Sequence, residues 1–276
     1  MTQPVSHSLE TAHPALTVMI DAALAAGARA AAIYETDFDA SQKGDGSAVT
    51  EADKAGEAII LAALEKAFPD IPVLAEEAAS EGDIPELGAR FFLVDPLDGT
   101  REFVNKTGEF TVNIALIEDG APVCGVVYAP GCSKLFVGCV GGGAGLQHVD
   151  PGADRTAAAS LKPIRARTAP PSGPVAVASR SHRSAETEDY LKEIGATEFT
   201  PAGSSLKFCL IAEGLADVYP RLGRTMEWDT GAAQAVLEAA GGSVHILENG
   251  AEGAPLRYNK KARGFDNPHF VAWGAR

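Results

Sequence analysis

No apolar run in this 276-residue chain approaches the ~20 residues that cross a bilayer as a helix, so no integral membrane segment is expected. Basic residues are scarce: 23 Lys and Arg stand against 37 Asp and Glu, a formal net charge of −14. Proteins that hold a nucleic-acid polymer show basic patches, so that class of partner is excluded as the main one. A small anionic ligand is not excluded, because a bound cation reverses local charge. Cysteine is sparse too. Cys124, Cys132, Cys139 and Cys209 form no C-x-x-C pair, and the opening MTQPVSHSLE lacks a basic-then-apolar signal pattern. The expectation is a cytoplasmic protein with reduced, mostly buried thiols. No segment repeats at a fixed period. GGGAG at 141–145 is not followed by G-K-[ST], which removes the nucleotide phosphate loop and leaves a hairpin turn.

What is present is a chain long enough, and apolar enough, for one large domain or two modest ones. Leu9, Leu16, Met19, Ile20, Ala23, Leu24 and Ala31 recur at helical spacing, predicting a helix within 8–36. DFDASQKGDGS (37–47) fails as a calcium loop: its sixth and twelfth positions are Gln42 and Ala48, where Gly and Glu are required. It reads as a solvated loop. A second helix is predicted over 49–68, with Thr50 as cap and Asp53 at capping-box spacing. IPVLAEEAA (71–79) reads as a short strand running out into Glu76 and Glu77, and FFLVD as a buried strand. Two strands flank a turn at 118–122, and a hairpin follows over 134–149. Residues 150–174, rich in Pro, Ala, Arg and Thr, mark the boundary between an N-terminal part (1–170) and a C-terminal part (171–276). Beyond it, strands and helices alternate: PVAVASR, 184–195, 204–214, ADVYPR, 229–240 and GSVHIL. This is an α/β layered pattern.

The chemistry concentrates in FFLVDPLDGTREFV (91–104). Asp95 and Asp98 sit on a turn stiffened by Pro96, with the Leu97 carbonyl between them. Glu76 follows another strand, and Asp229 opens a helix in MEWDTGAA. Acids at element ends can converge on one point. Carboxylate and carbonyl oxygens with no interleaved His or Cys suit Mg²⁺ and disfavour zinc. Gly99 and Thr100 stand where a helix can begin, presenting free N–H groups that attract phosphate. Together these point to metal-assisted phosphoryl transfer to water. Each motif alone has a blander reading, as a solvated D-x-x-D or a helix cap.

PVLAEE (72–77), LVDPLDGTREF (93–103), GEFTVNIALIEDGAPVCGVVYAP (108–130), SRSH (179–182), GSSLKFCLIAEGLADVYPR (203–221) and WDT (228–230) resemble the lithium-sensitive, magnesium-dependent phosphatases. That group includes inositol monophosphatases, and the detail resembles its bacterial 3'(2'),5'-bisphosphate nucleotidases of the CysQ type. The resemblance implies a stacked αβαβα sandwich with the site between two subdomains. It implies two or more Mg²⁺ ions held by Glu76, Asp95, Asp98, Asp229 and the Leu97 carbonyl. It assigns water activation to Thr100 and Asp53 beside Glu76, with Gly99, Thr100 and Asp229 also facing substrate. His182, Ser204, Lys207 and Arg221 would contact an adenosine bisphosphate. Read on their own, Ser204 can cap the helix that starts there and Lys207 can be a solvated charge. His182 can be a loop histidine, and Arg221 can pair with an acid such as Glu227. Two departures from the type are Arg101, where Lys is common, and Ala75, where Ser often precedes the two glutamates.

The implied reaction removes the 3'-phosphate of adenosine 3',5'-bisphosphate, with the sulfated form as a further substrate, in sulfate assimilation. Inositol or sugar monophosphatase is the alternative enzyme, and a non-catalytic phosphate-sensing module the alternative of another class. Some bacterial relatives lie peripherally on the inner membrane; no basic amphipathic helix here argues for that. Oligomeric state is not legible in the sequence.

Overall fold

The computed structural model describes residue 9 and residues 12–38, 40–42, 48–153, 160–178 and 184–276. Helix α1 (Leu16–Tyr34) and helix α2 (Glu51–Ala67) lie side by side, joined through the short strands β1 (Ala40–Gln42) and β2 (Ala48–Thr50). Then come β3 (Val73–Ala75), α3 (Glu76–Ser80), β4 (Arg90–Asp98), α4 (Thr100–Val104), β5 (Thr111–Glu118), β6 (Ala121–Ala129), β7 (Lys134–Cys139), β8 (Gly143–His148) and β9 (Lys162–Ile164). Strands β3 to β9 form one seven-stranded sheet in sequence order, antiparallel except for the β3–β4 pair. The chain then changes sheets. A second, six-stranded sheet has the order β11 (Glu198–Pro201), β10 (Val175–Ala178), β12 (Val218–Arg221), β15 (Phe270–Trp273), β13 (Ser243–Glu248), β14 (Ala251–Pro255). Helices α5 (Ala185–Glu193), α6 (Leu206–Ala212) and α7 (Gly231–Ala239) complete the chain.

Period-two alternation sorts these elements into layers. On β4, Phe92 and Val94 join the core under α1 and α2, with Leu16, Met19, Ile60 and Leu64. Phe91 and Leu93, on the opposite face, join α6 and α7 through Phe208, Ile211, Val236 and Leu237. That same core takes Val177, Tyr219 and Phe270 from the second sheet. The sheet's other face, with Ala176, Val218 and Val271, packs under Tyr190 and Leu191 of α5. The result is helix, sheet, helix, sheet, helix: the expected αβαβα stack. Close approach of α7 to the first sheet depends on glycine. A Cβ on Gly125 would strike the Ala232 carbonyl, and one on Gly138 would come within 2.6 Å of Val236 Cα.

Most predicted elements appear, with shifted ends. Glu76 follows β3 as expected, and with Glu77 it opens the short helix α3 after an extended Ala75. The α7 helix starts two residues after Asp229, with Thr230 as its N-cap. Of GGGAG, Gly141 and Gly142 lie in the β7–β8 turn and Gly143–Gly145 begin β8.

Two sequence expectations need correction. Cys124 and Cys139 are joined by a disulfide, because the β6–β7 register sets them directly opposite each other, 4.2 Å apart at Cα. Cys132 and Cys209 remain free. Helix α1 is also long and apolar enough to cross a membrane by length and composition. It is packed instead, with Leu16, Met19, Ile20, Ala23 and Ala26 buried in the core.

Candidate active site

Three element ends bring four acids together beside the first sheet. Glu76 starts α3 after β3, Asp95 and Asp98 lie at the end of β4, and Asp229 precedes α7. Carboxylate oxygens of Glu76, Asp95 and Asp229 all lie within 4.8 Å of one another. Asp98 stands next to them, close enough for its charge to raise the pKa of both Asp95 and Asp229. The β4–β5 ladder shifts register between Asp95 and Asp98, which frees this turn from the sheet. Within it, the Leu97 amide donates to Asp95 Oδ1 at 3.0 Å, a short Asx-type turn. Asp229 Oδ2 accepts from the Met226 amide at 2.9 Å.

Burial dominates the electrostatics. It pushes the Asp95 carboxyl well above the usual range. The charges of Glu76, Asp98 and Asp229 add to this, as does a hydrogen bond between the Asp95 and Glu76 carboxyls. Asp229 is raised well above its usual value, first by burial and then by Asp98 and Glu76. Asp98 is raised by burial, while Lys207 and the Ser205 hydroxyl and amide hold it back. An acid cluster of this kind strongly favours a proton or a cation. Its donors are carboxylates with a neighbouring backbone carbonyl, Leu97, which suits a hard divalent ion. The residues present therefore fit a metal centre.

Beside the acids, Thr100 begins α4 after Gly99, whose φ of +92° allows the sharp entry. A Cβ on Gly99 would stand 3.0 Å from the Glu109 carbonyl. Thr100 Oγ1 donates toward Asp53 Oδ1 (3.2 Å) and toward the Leu97 carbonyl (3.3 Å). Asp53 is held by the capping box: its Oδ2 accepts from the Thr50 amide and hydroxyl, each at 2.7 Å, and Thr50 Oγ1 accepts from the Ala52 amide. The helix cap thus aims one carboxylate oxygen at Thr100.

A cleft of about 630 Å³ opens from the acids and is lined from both sheets' sides, by Asp98, Gly99, Arg101, Ser204, Lys207 and Arg221 among others. Burial lowers the Lys207 pKa, and the charge of Asp98 works against that. Lys207 Nζ donates to the Ser204 carbonyl at 2.7 Å and lies 5.5 Å from the Tyr219 ring centre, so it is not a solvated charge. Arg221 donates to the Arg224 carbonyl at 2.9 Å, and its buried Nε has no hydrogen-bond partner among the described residues. Glu227, the acid that could have paired with it, is bound by Lys260 Nζ and by the Asn259 and Lys260 amides instead. Ser204 does not cap α6. It adopts a left-handed conformation (φ 42°) one residue ahead of the N-cap, Ser205. His182 lies outside the described residues.

Sequence reasoning missed Ser205. Its hydroxyl donates to the Asp229 carbonyl at 2.8 Å and accepts from Asn113 Nδ2 at 3.0 Å, tying α6 to the Asp229 loop and to β5, the strand beside Asp95. The adjacent serines of GSSLK gave no local way to tell which one faces the acids.

Carboxylates beside a cation-bearing cleft, set between two sheets, fit the centre of a metal-dependent phosphatase. The Inositol monophosphatase family description matches residues 12–266, and the chain belongs to that family. Within it, the chain is 44% identical over 233 residues to 3'(2'),5'-bisphosphate nucleotidase CysQ of Escherichia coli K12, covering 84% of this chain and 88% of that protein. The crystal structure of CysQ from Bacteroides thetaiotaomicron superposes with a TM-score of 0.77 at 38% identity, over 94% of this chain and 97% of that one. The inositol monophosphatase from Anabaena (Nostoc) gives 0.70 at 29% identity, over 94% and 90%.

Proposed function

We propose that the chain is a CysQ-type, Mg²⁺-dependent phosphatase that hydrolyses the 3'-phosphate of adenosine 3',5'-bisphosphate to AMP and phosphate, serving sulfate assimilation in the cytoplasm. The sulfated form of this nucleotide is included in the proposal. The observation that carries the choice of substrate is the pair Lys207 and Arg221, with the buried Arg221 Nε that has no partner among the described residues, in a cleft that also reaches Asp98 and Asp229. A monophosphate needs only the acid-lined end; a second phosphate gives these cations an anion to bind.

Glu76, Asp95, Asp98, Asp229 and the Leu97 carbonyl would hold two or more Mg²⁺ ions. When bound, they neutralise the acids, acidify water and balance charge on the phosphate. The rest falls to the chain. Thr100 gives its hydroxyl hydrogen to Asp53, which leaves an oxygen lone pair to accept a hydrogen bond from the attacking water. The water's proton then passes to Thr100 as Thr100's own passes to Asp53, so Asp53 acts as the general base through a relay. Asp53 keeps its orientation because its other oxygen stays bound to Thr50. Glu76, grouped with Asp95 and Asp229, would be the second catalytic carboxylate. Gly99 and Thr100 offer the first amides of α4 to the scissile phosphate. The residues 1–170 and 171–276 act as two subdomains, the first carrying most of the acids and the second Asp229 and the cleft cations.

The test is phosphate release from adenosine 3',5'-bisphosphate, 3'-AMP and inositol 1-phosphate, with Mg²⁺ and then with EDTA. The bisphosphate should be the best substrate, and EDTA should stop all three reactions. Faster release from inositol 1-phosphate would replace the nucleotidase reading with inositol phosphatase.

A further inference from the structure

Helix α3 carries Glu76 as its first residue, yet it lacks a cap of its own. Its N-cap is Ala75, which has the extended backbone a capping residue needs (φ −119°, ψ 149°) but no oxygen to accept with. The missing acceptor comes from another helix. Glu57, on α2, places Oε2 at 2.7 Å from the Glu77 amide and Oε1 at 2.8 Å from the Ala78 amide. Both oxygens of one buried carboxylate are thus used on the two amides that follow Glu76.

Glu57 lies one helical turn after Asp53, so both project from the same side of α2. One reaches Thr100 and the other reaches the start of α3. Between them, at Gly56, α2 lies against Pro96: an added Cβ would sit 3.4 Å from the Pro96 side chain and carbonyl. A single helix therefore touches three parts of the acid centre. Bonds from amides to a charged acceptor are among the stronger protein hydrogen bonds, and a negative group also suits a helix N-terminus.

We propose that Glu57 is a positioning residue for Glu76, fixing the backbone that carries this carboxylate and thereby setting the affinity of the centre for divalent cations. The inference rests on Glu76 being a metal ligand. Glu57→Gln keeps the size and leaves one acceptor oxygen, but turns an NH₂ toward the second amide. Loss of an outer partner of a metal ligand typically costs 10- to 100-fold in metal affinity. Ala75→Ser, in a backbone already shaped for capping, would supply the acceptor locally.

The experiment titrates the full chain with Mn²⁺ and follows free Mn²⁺ by electron paramagnetic resonance, for wild type, Glu57→Gln, and Glu57→Gln with Ala75→Ser. Thermal melts are run alongside. The first variant should bind Mn²⁺ at least about 10-fold more weakly, and the second should recover part of that loss. Activity of Glu57→Gln should return as Mg²⁺ is raised, with an unchanged substrate KM. A lower melting temperature with wild-type Mn²⁺ affinity would mean a purely structural role and overturn the proposal. Glu57→Asp keeps the charge but shortens the reach by one methylene, so it carries the same test if the glutamine variant does not fold. Failure of wild type to bind Mn²⁺ would instead remove Glu76 as a ligand, and this inference with it.

Discussion

Replacing Arg221 with Met isolates the cleft's grip on a second phosphate. In the structure the guanidinium donates to the Arg224 carbonyl, shares a side-chain hydrogen bond with Tyr219, and leaves a buried Nε without an acceptor among the described residues. Removing the group costs the folded chain about 0.5–1.5 kcal/mol for each of these two bonds to neutral partners, a loss common to every substrate. A substrate whose 5'-phosphate engages it loses more, about 1.5–3 kcal/mol for a bond to a charged partner, or roughly 10- to 150-fold in kcat/KM. The assay compares kcat/KM for adenosine 3',5'-bisphosphate and 3'-AMP in both proteins. The bisphosphate should lose by that factor, while 3'-AMP, which has nothing for Arg221 to bind, should stay within about threefold, the usual context scatter of such effects. Equal losses on the two substrates would remove Arg221 as a 5'-phosphate ligand, because a damaged fold or acid centre affects both alike.

Lys207→Met should behave differently. Its charge acts on Asp98 as well as on the cleft, so both substrates should lose activity, the bisphosphate more; loss on the bisphosphate alone would show that the link to Asp98 does not matter. Asp95→Asn should stabilise the EDTA-treated protein at neutral pH. The folded pKa of Asp95 is raised above 3.8, so the folded state holds its proton more tightly than the unfolded chain does. Stability is therefore lost as pH climbs from about 4 toward the folded pKa, by about 1.4 kcal/mol for each pH unit between the unfolded and folded values. Melting curves should show the two proteins converging as pH falls toward 3.8, and parallel curves would contradict the raised pKa. Thiol titration of the denatured, unreduced chain should find two free cysteines, Cys132 and Cys209, and four after reduction; four before reduction would remove the Cys124–Cys139 bridge.

Local signals were readable where the physics is local. The Thr50–Asp53 spacing makes a capping box, the apolar runs around 118–122 pair as β5 and β6, and the α4 start at Thr100 follows from DGT. Convergence of Glu76, Asp95 and Asp229 was also anticipated, since each sits at an element end. What stayed hidden depends on partners distant in sequence. The disulfide needs the β6–β7 register, which four scattered cysteines do not reveal. Strands β11, β14 and β15 are four or five residues long and lack the alternation that marks a half-buried strand. Glu57 read as one more charge on a helix, because the amides it binds lie 20 and 21 residues away.

A nucleotidase of this kind removes the 3'-phosphate and keeps the 5'-phosphate. Phosphorus NMR of adenosine 3',5'-bisphosphate incubated with the protein and Mg²⁺ follows each phosphate separately. The 3'-phosphate resonance should disappear into inorganic phosphate while the 5'-resonance persists as AMP, and neither should change in EDTA. Loss of the 5'-phosphate with 3'-AMP accumulating, or two resonances that persist in Mg²⁺, would rule out a 3'-nucleotidase.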